Sequence, residues 1–137
     1  MRQRSPAQVY ALLVGVLLTV LGIIGFFYNG TFTDATAVHD DVFGILSVNG
    51  WHNLLHILTG VVALALASSR TGSRTCTYGL GLFYLVVSVW GFILGGGHSI
   101  LGIVPVDAAA NTLHLLIGIA GVLAGVATAP ERAPTAA

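Results

Sequence analysis

Charge is scarce in this chain: of 137 residues only 7% are charged, while 55% are hydrophobic. A soluble domain carries roughly 25% charged residues, so this one cannot cover its exterior with polar groups. The five basic and five acidic residues cancel, and no excess of either sign points to nucleic acid or to an acidic partner. Cysteine is almost missing as well. The single Cys76 excludes an intramolecular disulfide and any thiol-pair redox motif, and reads as a small apolar residue at a helix end. Nucleophile motifs, phosphate-binding loops and paired-carboxylate sites are absent. Ser88 and Thr59 lie in apolar runs without the base and orienting group that activate a hydroxyl, so the sequence reads as a non-catalytic protein rather than an enzyme.

What the chain does have is four apolar runs, 9–28, 51–67, 78–96 and 108–128, none with an Asp, Glu, Lys or Arg. Each is close to the roughly 20 residues that cross a bilayer as a helix, and none alternates as a barrel strand would. The expected fold is therefore an all-α bundle of four transmembrane helices, one integral membrane domain over residues 1–137 with a mobile tail at 129–137. There is no room for a separate soluble domain. Arg2 and Arg4 precede the first run as in a signal peptide, but the run is too long and lacks a small-x-small site near Tyr28, so it reads as a retained anchor. Arg70, Arg74 and Arg132 fall on the same side as Arg2 and Arg4. By the positive-inside rule that side is the cytoplasm, which gives a multi-pass protein of the cell membrane with both termini inside. Asp34, Asp40, Asp41 and Asp107 then face outward, in connections at 29–50 and 97–107. The sequon Asn29-Gly30-Thr31 faces outward too, as a weak three-residue match. The apolar stretch 101–106, with Pro105, either lies over the bundle mouth or dips into the membrane.

The chain also repeats itself. Residues 44–61 align with 102–119 at a constant offset, pairing Gly44, Ile45, Val48, Asn53, Leu55, His56, Leu58 and Gly60 with identical residues. Asn49 and Asp107 stand where an N-cap would start the second and fourth helices. A weaker match sets Gly15, Gly25 and Phe26 against Gly81, Gly91 and Phe92. Two parallel two-helix hairpins related by a pseudo-twofold axis along the membrane normal would account for both matches. The small residues of Gly91-x-x-x-Gly95 and Gly121-x-x-x-Gly125 would let backbones approach closely.

Candidate chemistry resides in the polar residues of the even-numbered helices. Asn53 with His56, and Asn111 with His114, repeat as N-x-L-H, a spacing that sets each Asn beside its His. Counted from the caps, both histidines lie about one to two turns below the outer surface. Ionisable groups inside a membrane segment face the bundle interior or a cavity and raise a functional hypothesis. Three readings stay open. The four residues serve as polar packing between helices; or His52, four residues before His56, joins His56 and His114 in an open three-histidine zinc or copper site, or His56 and His114 ligate haem from two sides; or the cluster relays protons or a small solute. Ala110 stands at the repeat position of His52, which rules out a symmetric four-histidine site. No charged residue continues a path toward the cytoplasm, which weakens the transport reading. His39, Asp40, Asp41, His98 and Asp107 are candidates for an external divalent site above the bundle. Trp51 is expected to anchor at the interface and Trp90 to pack among helices.

At G-W-H-N-L-L-H-I-L-T-G (residues 50–60) and N-T-L-H-L-L-I-G (residues 111–118) the sequence resembles a bacterial family of small four-helix membrane proteins catalogued as a domain of unknown function. The resemblance runs from the first helix to the fourth. It implies the fold and the membrane location and supplies no activity. The expected partners are the lipid bilayer and a second copy or another membrane protein, with no nucleic acid.

Overall fold

The computed structural model describes residues 3–32 and 40–131. Arg2, Asp34, His39 and Arg132, which entered the expectations above, and the tail from 132 onward lie outside the described residues. The chain runs α1 (Pro6–Tyr28), β1 (Asp40–Val42), β2 (Leu46–Val48), α2 (Gly50–Leu66), α3 (Arg70–Leu94), β3 (Ser99–Ile100), β4 (Val104–Pro105) and α4 (Ala108–Ala127).

Each helix starts at a side-chain cap that satisfies amides left without intrahelical partners. Ser5 and Gln8 form a reciprocal capping box with Pro6 in the first turn of α1. Asn49 and Asp107 cap α2 and α4, accepting from the amides of His52 and Ala110. Ser69 caps α3, and this moves its start eight residues ahead of the apolar run at 78. The extra turns are polar, yet Ser73 and Thr77 are fully buried. Their hydroxyls donate to the carbonyls of Arg70 and Arg74 one turn back, so burial leaves no unpaired donor. Three helices, of 23, 25 and 20 residues, are long and apolar enough to cross a membrane, while α2 is a shorter apolar helix of 17 residues. At about 1.5 Å per residue α2 rises only about 25 Å.

Glycine governs how closely the helices pair. A Cβ on Gly15 would come within 2.8 Å of Leu64 and 3.0 Å of the Gly60 carbonyl, and one on Gly81 within 2.9 Å of Val122 and 3.1 Å of the Gly118 carbonyl. The bare Cα of Gly25 faces Asn53 Oδ1, and that of Gly91 faces Asn111 Oδ1. The α1/α2 and α3/α4 contacts are thus made by corresponding residues. Gly121 and Gly125 press against α3, at Gly81 and at Thr77 and Tyr78. The expected Gly91/Gly95 stripe does not form, because Gly95 is the C-cap of α3 at φ 79° with open space where a Cβ would stand. Between the two helix pairs lies an apolar core of Tyr10, Val14, Leu18, Ala63, Cys76, Leu80, Tyr84 and Ile117. Many other large apolar side chains remain exposed along the helices, among them Leu13, Val86, Ile93, Leu123 and Val126. Helices that expose so much apolar surface suggest a lipid environment.

The connections at the cap end of α2 and α4 are built as β-hairpins rather than irregular loops. Asp40 pairs with Val48 and Val42 with Leu46, and likewise Ser99 with Pro105 and Ile100 with Val104. Phe43-Gly44 and Leu101-Gly102 turn the chain with all four φ angles between 55° and 72°, a left-handed pair within a three-residue hairpin loop. The hairpins lie over the end of the bundle, each latched to the other's helix. Asn49 Nδ2 donates to the Ile103 carbonyl at 2.6 Å, and the Ser47 amide donates to Asp107 Oδ2 at 2.9 Å. Residues 101–105 form the second hairpin's turn and last strand. At the opposite end the guanidinium groups of Arg70 and Arg74 donate to the Ala129 and Thr128 carbonyls just beyond α4, where a helix presents its negative pole.

Candidate histidine centre under the hairpins

The hairpins, α2 and α4 together enclose three imidazoles. His52 and His56 stand one turn apart on α2, and His114 projects from α4. All three are buried, at 3%, 7% and 4% exposure. Their ring centroids are 4.3 Å apart for His52 and His56, and 5.8 Å for each with His114. One ring nitrogen from each lies within 4.8 Å of the others, the one cluster of potential metal-binding side chains among the described residues.

Hydrogen bonding fixes what each ring can offer. His52 Nδ1 lies 3.1 Å from the Ser47 carbonyl. A carbonyl only accepts, so Nδ1 carries the proton and the lone pair is on Nε2. That Nε2 is buried and has no partner. His56 Nε2 and His114 Nε2 approach to 3.5 Å, and His114 Nδ1 is buried without a partner. A separation of 3.5 Å is at the outer limit of a hydrogen bond. It is close to the edge of a zinc–imidazole tetrahedron, about 3.3–3.4 Å when each nitrogen is 2.0–2.1 Å from the ion. Drawing in the widest pair from 4.8 Å would take at most about 1.4 Å of movement, within reach of small ring rotations.

The surroundings hold this arrangement. The Tyr84 ring lies 5.1 Å from His114. Thr59 donates its hydroxyl proton to the Leu55 carbonyl, so the Tyr84 hydroxyl, 3.0 Å away, donates to Thr59. Ser47, which orients His52, is itself tied down, its amide to Asp107 and its hydroxyl to Asp41 at 2.8 Å. An enclosed space of about 10 Å³ touches all three histidines from the side of Val42 and Leu113, enough for one water-sized occupant. On the other side a cavity of about 270 Å³ opens between α2 and α3 beneath the second hairpin.

The asparagines do not join the imidazoles. Asn53 Nδ2 donates to the Asn29 carbonyl and its Oδ1 faces Gly25, while Asn111 lies against Gly91. The two sites are alike, and a Cα–H group turned to each Oδ1 suits the recurring geometry. Asn53 and Asn111 therefore secure each helix pair from within, and of these four repeated residues the histidines are the two that meet across the pairs. Of the external candidates, Asp107 is occupied as the α4 cap and by Ser47, and Asp41 by Ser47. Asp40 and His98 are exposed, and His39 lies outside the described residues. Trp51 is half-exposed and donates from its indole to the Phe32 carbonyl. Trp90, expected to pack among helices, is 39% exposed and lines the mouth of the large cavity. Ser47 and Tyr84 had no signal in the sequence. Ser47 acts through its backbone, and Tyr84 is a lone aromatic in an apolar run.

No curated protein and no solved structure matches the chain. The model of a family described as a domain of unknown function (DUF4383) matches residues 8–127, nearly the whole length from α1 to α4. The chain belongs to this family.

Proposed function

We propose that this is a multi-pass membrane protein that binds a transition metal, zinc or copper, through His52, His56 and His114, with a fourth coordination position left open. In this reading all four helices cross the bilayer as two parallel hairpin copies. The ends that carry Arg4, Arg70 and Arg74 face the cytoplasm, and the metal lies beneath the outer surface. The observation that carries the reading is the convergence of three buried imidazoles, one of which leaves its lone-pair nitrogen, His52 Nε2, without a partner. A buried polar atom without a partner costs about 1–3 kcal/mol, so packing alone is a poor account of three such rings together. A bound ion gives the lone pairs a partner. The Ser47 carbonyl on His52 Nδ1 is the outer-shell contact that aims an imidazole ligand. Haem held between His56 and His114 is disfavoured by space, because the cavities that touch both rings, about 10 and 270 Å³, offer too little room between them for the macrocycle.

The test is elemental analysis of the full chain purified in detergent, before and after reconstitution with zinc or copper. One equivalent per chain is expected. His52→Ala, His56→Ala and His114→Ala should each weaken binding by more than about 100-fold, since losing a mere outer-shell contact already costs about 10–100-fold. Reconstituted protein that holds neither metal would refute the assignment.

A further inference from the structure

Among the described residues, a cavity of about 270 Å³ reaches all three histidines, and its walls differ from its inner end. Phe83, Val86, Val87, Trp90, Ile100 and Val104 line it with apolar and aromatic surface. The Tyr84 hydroxyl is turned away to Thr59, and the three imidazole rings close the inner end with their nitrogens buried behind apolar surface. Its size is near the lower bound of about 300 Å³ for small-molecule sites, and its walls are apolar as theirs mostly are. The rim residues Leu55, Val86 and Trp90 are exposed on the outward faces of α2 and α3, so access is from the side of the helices rather than from their ends.

Charge decides which head group fits. Three neutral imidazoles leave a bound dication uncompensated, and an unpaired buried charge is costly. No acidic side chain lines the cavity. The carboxylate nearest in sequence to the cluster, Asp107, already accepts from the Ala110 and Ser47 amides. Hydroxide from a bound water or an anionic ligand supplies the missing negative charge, and the apolar walls favour an anion that also carries a hydrocarbon tail.

We infer that the open metal position takes the carboxylate of a single-chain fatty acid, whose hydrocarbon tail occupies the cavity between α2 and α3 and enters from the bilayer. The inference rests on the metal-site reading and names what that site binds. It involves coordination only: a carboxylate oxygen replaces the water or vacant position on the ion, and no bond in the ligand breaks.

The experiment uses the full chain in detergent loaded with Co²⁺, whose visible absorption reports its coordination. Decanoate, acetate and decane are the three probes. Decanoate should shift the cobalt bands at a concentration about a hundredfold below acetate, because burial of each additional methylene favours binding. Decane, with no donor atom, should leave the bands unchanged. Val87→Trp, which fills the cavity, and Val86→Trp, which narrows its rim, should retain the cobalt bands and move the decanoate midpoint toward that of acetate. Cobalt bands that respond to acetate and decanoate at equal concentrations, or equally in wild type and in a filled variant that retains them, overturn the inference and leave the metal site standing. A protein with no cobalt bands at all overturns the metal reading and the inference with it.

Discussion

Two asparagines and two histidines, spaced alike on α2 and α4, turn out to do different work. Residues three apart on a helix point about 60° away from each other. That angle is enough to aim Asn53 at Gly25 on α1 while His56 reaches His114 on α4. The spacing was legible in the sequence, and so were the three histidines that converge. The division between Asn and His was not, because it depends on which neighbouring helix each side chain meets. At this scale Gly25→Ala and Gly91→Ala should each destabilise the protein by about 1–3 kcal/mol, as overpacking does. Thermal melting in detergent checks this, and Gly25→Ala combined with Asn53→Ala should recover part of the loss. Unaltered melting of either glycine variant would show that the Asn side chains have room to move aside.

The helices as elements were largely readable from hydropathy and caps. Asn49 and Asp107 begin α2 and α4 as expected. The start of α3 was hidden because its first two turns bury Ser73 and Thr77, whose hydroxyls bond to their own helix and leave no mark on an apolar count. The hairpins were hidden for another reason. Strands of two or three residues are too short for an alternation to register, and Phe-Gly and Leu-Gly are not the usual residues of a left-handed turn. Gly44 and Gly102 have φ of 72° and 71°, and a Cβ at either would meet no atom within 4 Å. Gly102→Val should therefore cost about 1–2 kcal/mol from backbone conformation alone. Metal release should also speed up, since Ile103 next in sequence receives the Asn49 latch over the histidines. Stopped-flow chelator competition reads this, and an unchanged release rate would mean that the hairpin does not govern access.

For the whole molecule, the sequence made four apolar helices plain, with three long enough to span a bilayer and α2 somewhat short. Orientation is a matter of where Arg4, Arg70 and Arg74 lie, which is the end away from the hairpins. In a Cys76→Ala background, Ile45→Cys should react with a membrane-impermeant maleimide added outside intact cells. Glu131→Cys should react only after lysis. The reverse pattern would invert the proposed topology. The asymmetry of the histidine centre also belongs to this scale: at the offsets that align the two halves, Ala110 stands for His52 and Leu18 for Tyr84. Two similar scaffolds thus enclose an arrangement that neither would form by itself.

The latch of each hairpin onto the other's helix, with the proposed ligands drawn from both sides of the short α2–α3 junction, would make a bound ion a measure of assembly. If the chain is severed at 68 and the two fragments are co-expressed, neither fragment should retain metal alone, having two or one of the three clustered imidazoles. Recovered stoichiometric binding would then report that the fragments have found each other in the bilayer. Separately stable fragments that never regain the ion would mean that the covalent junction, rather than the latches and the histidines, brings the halves into register.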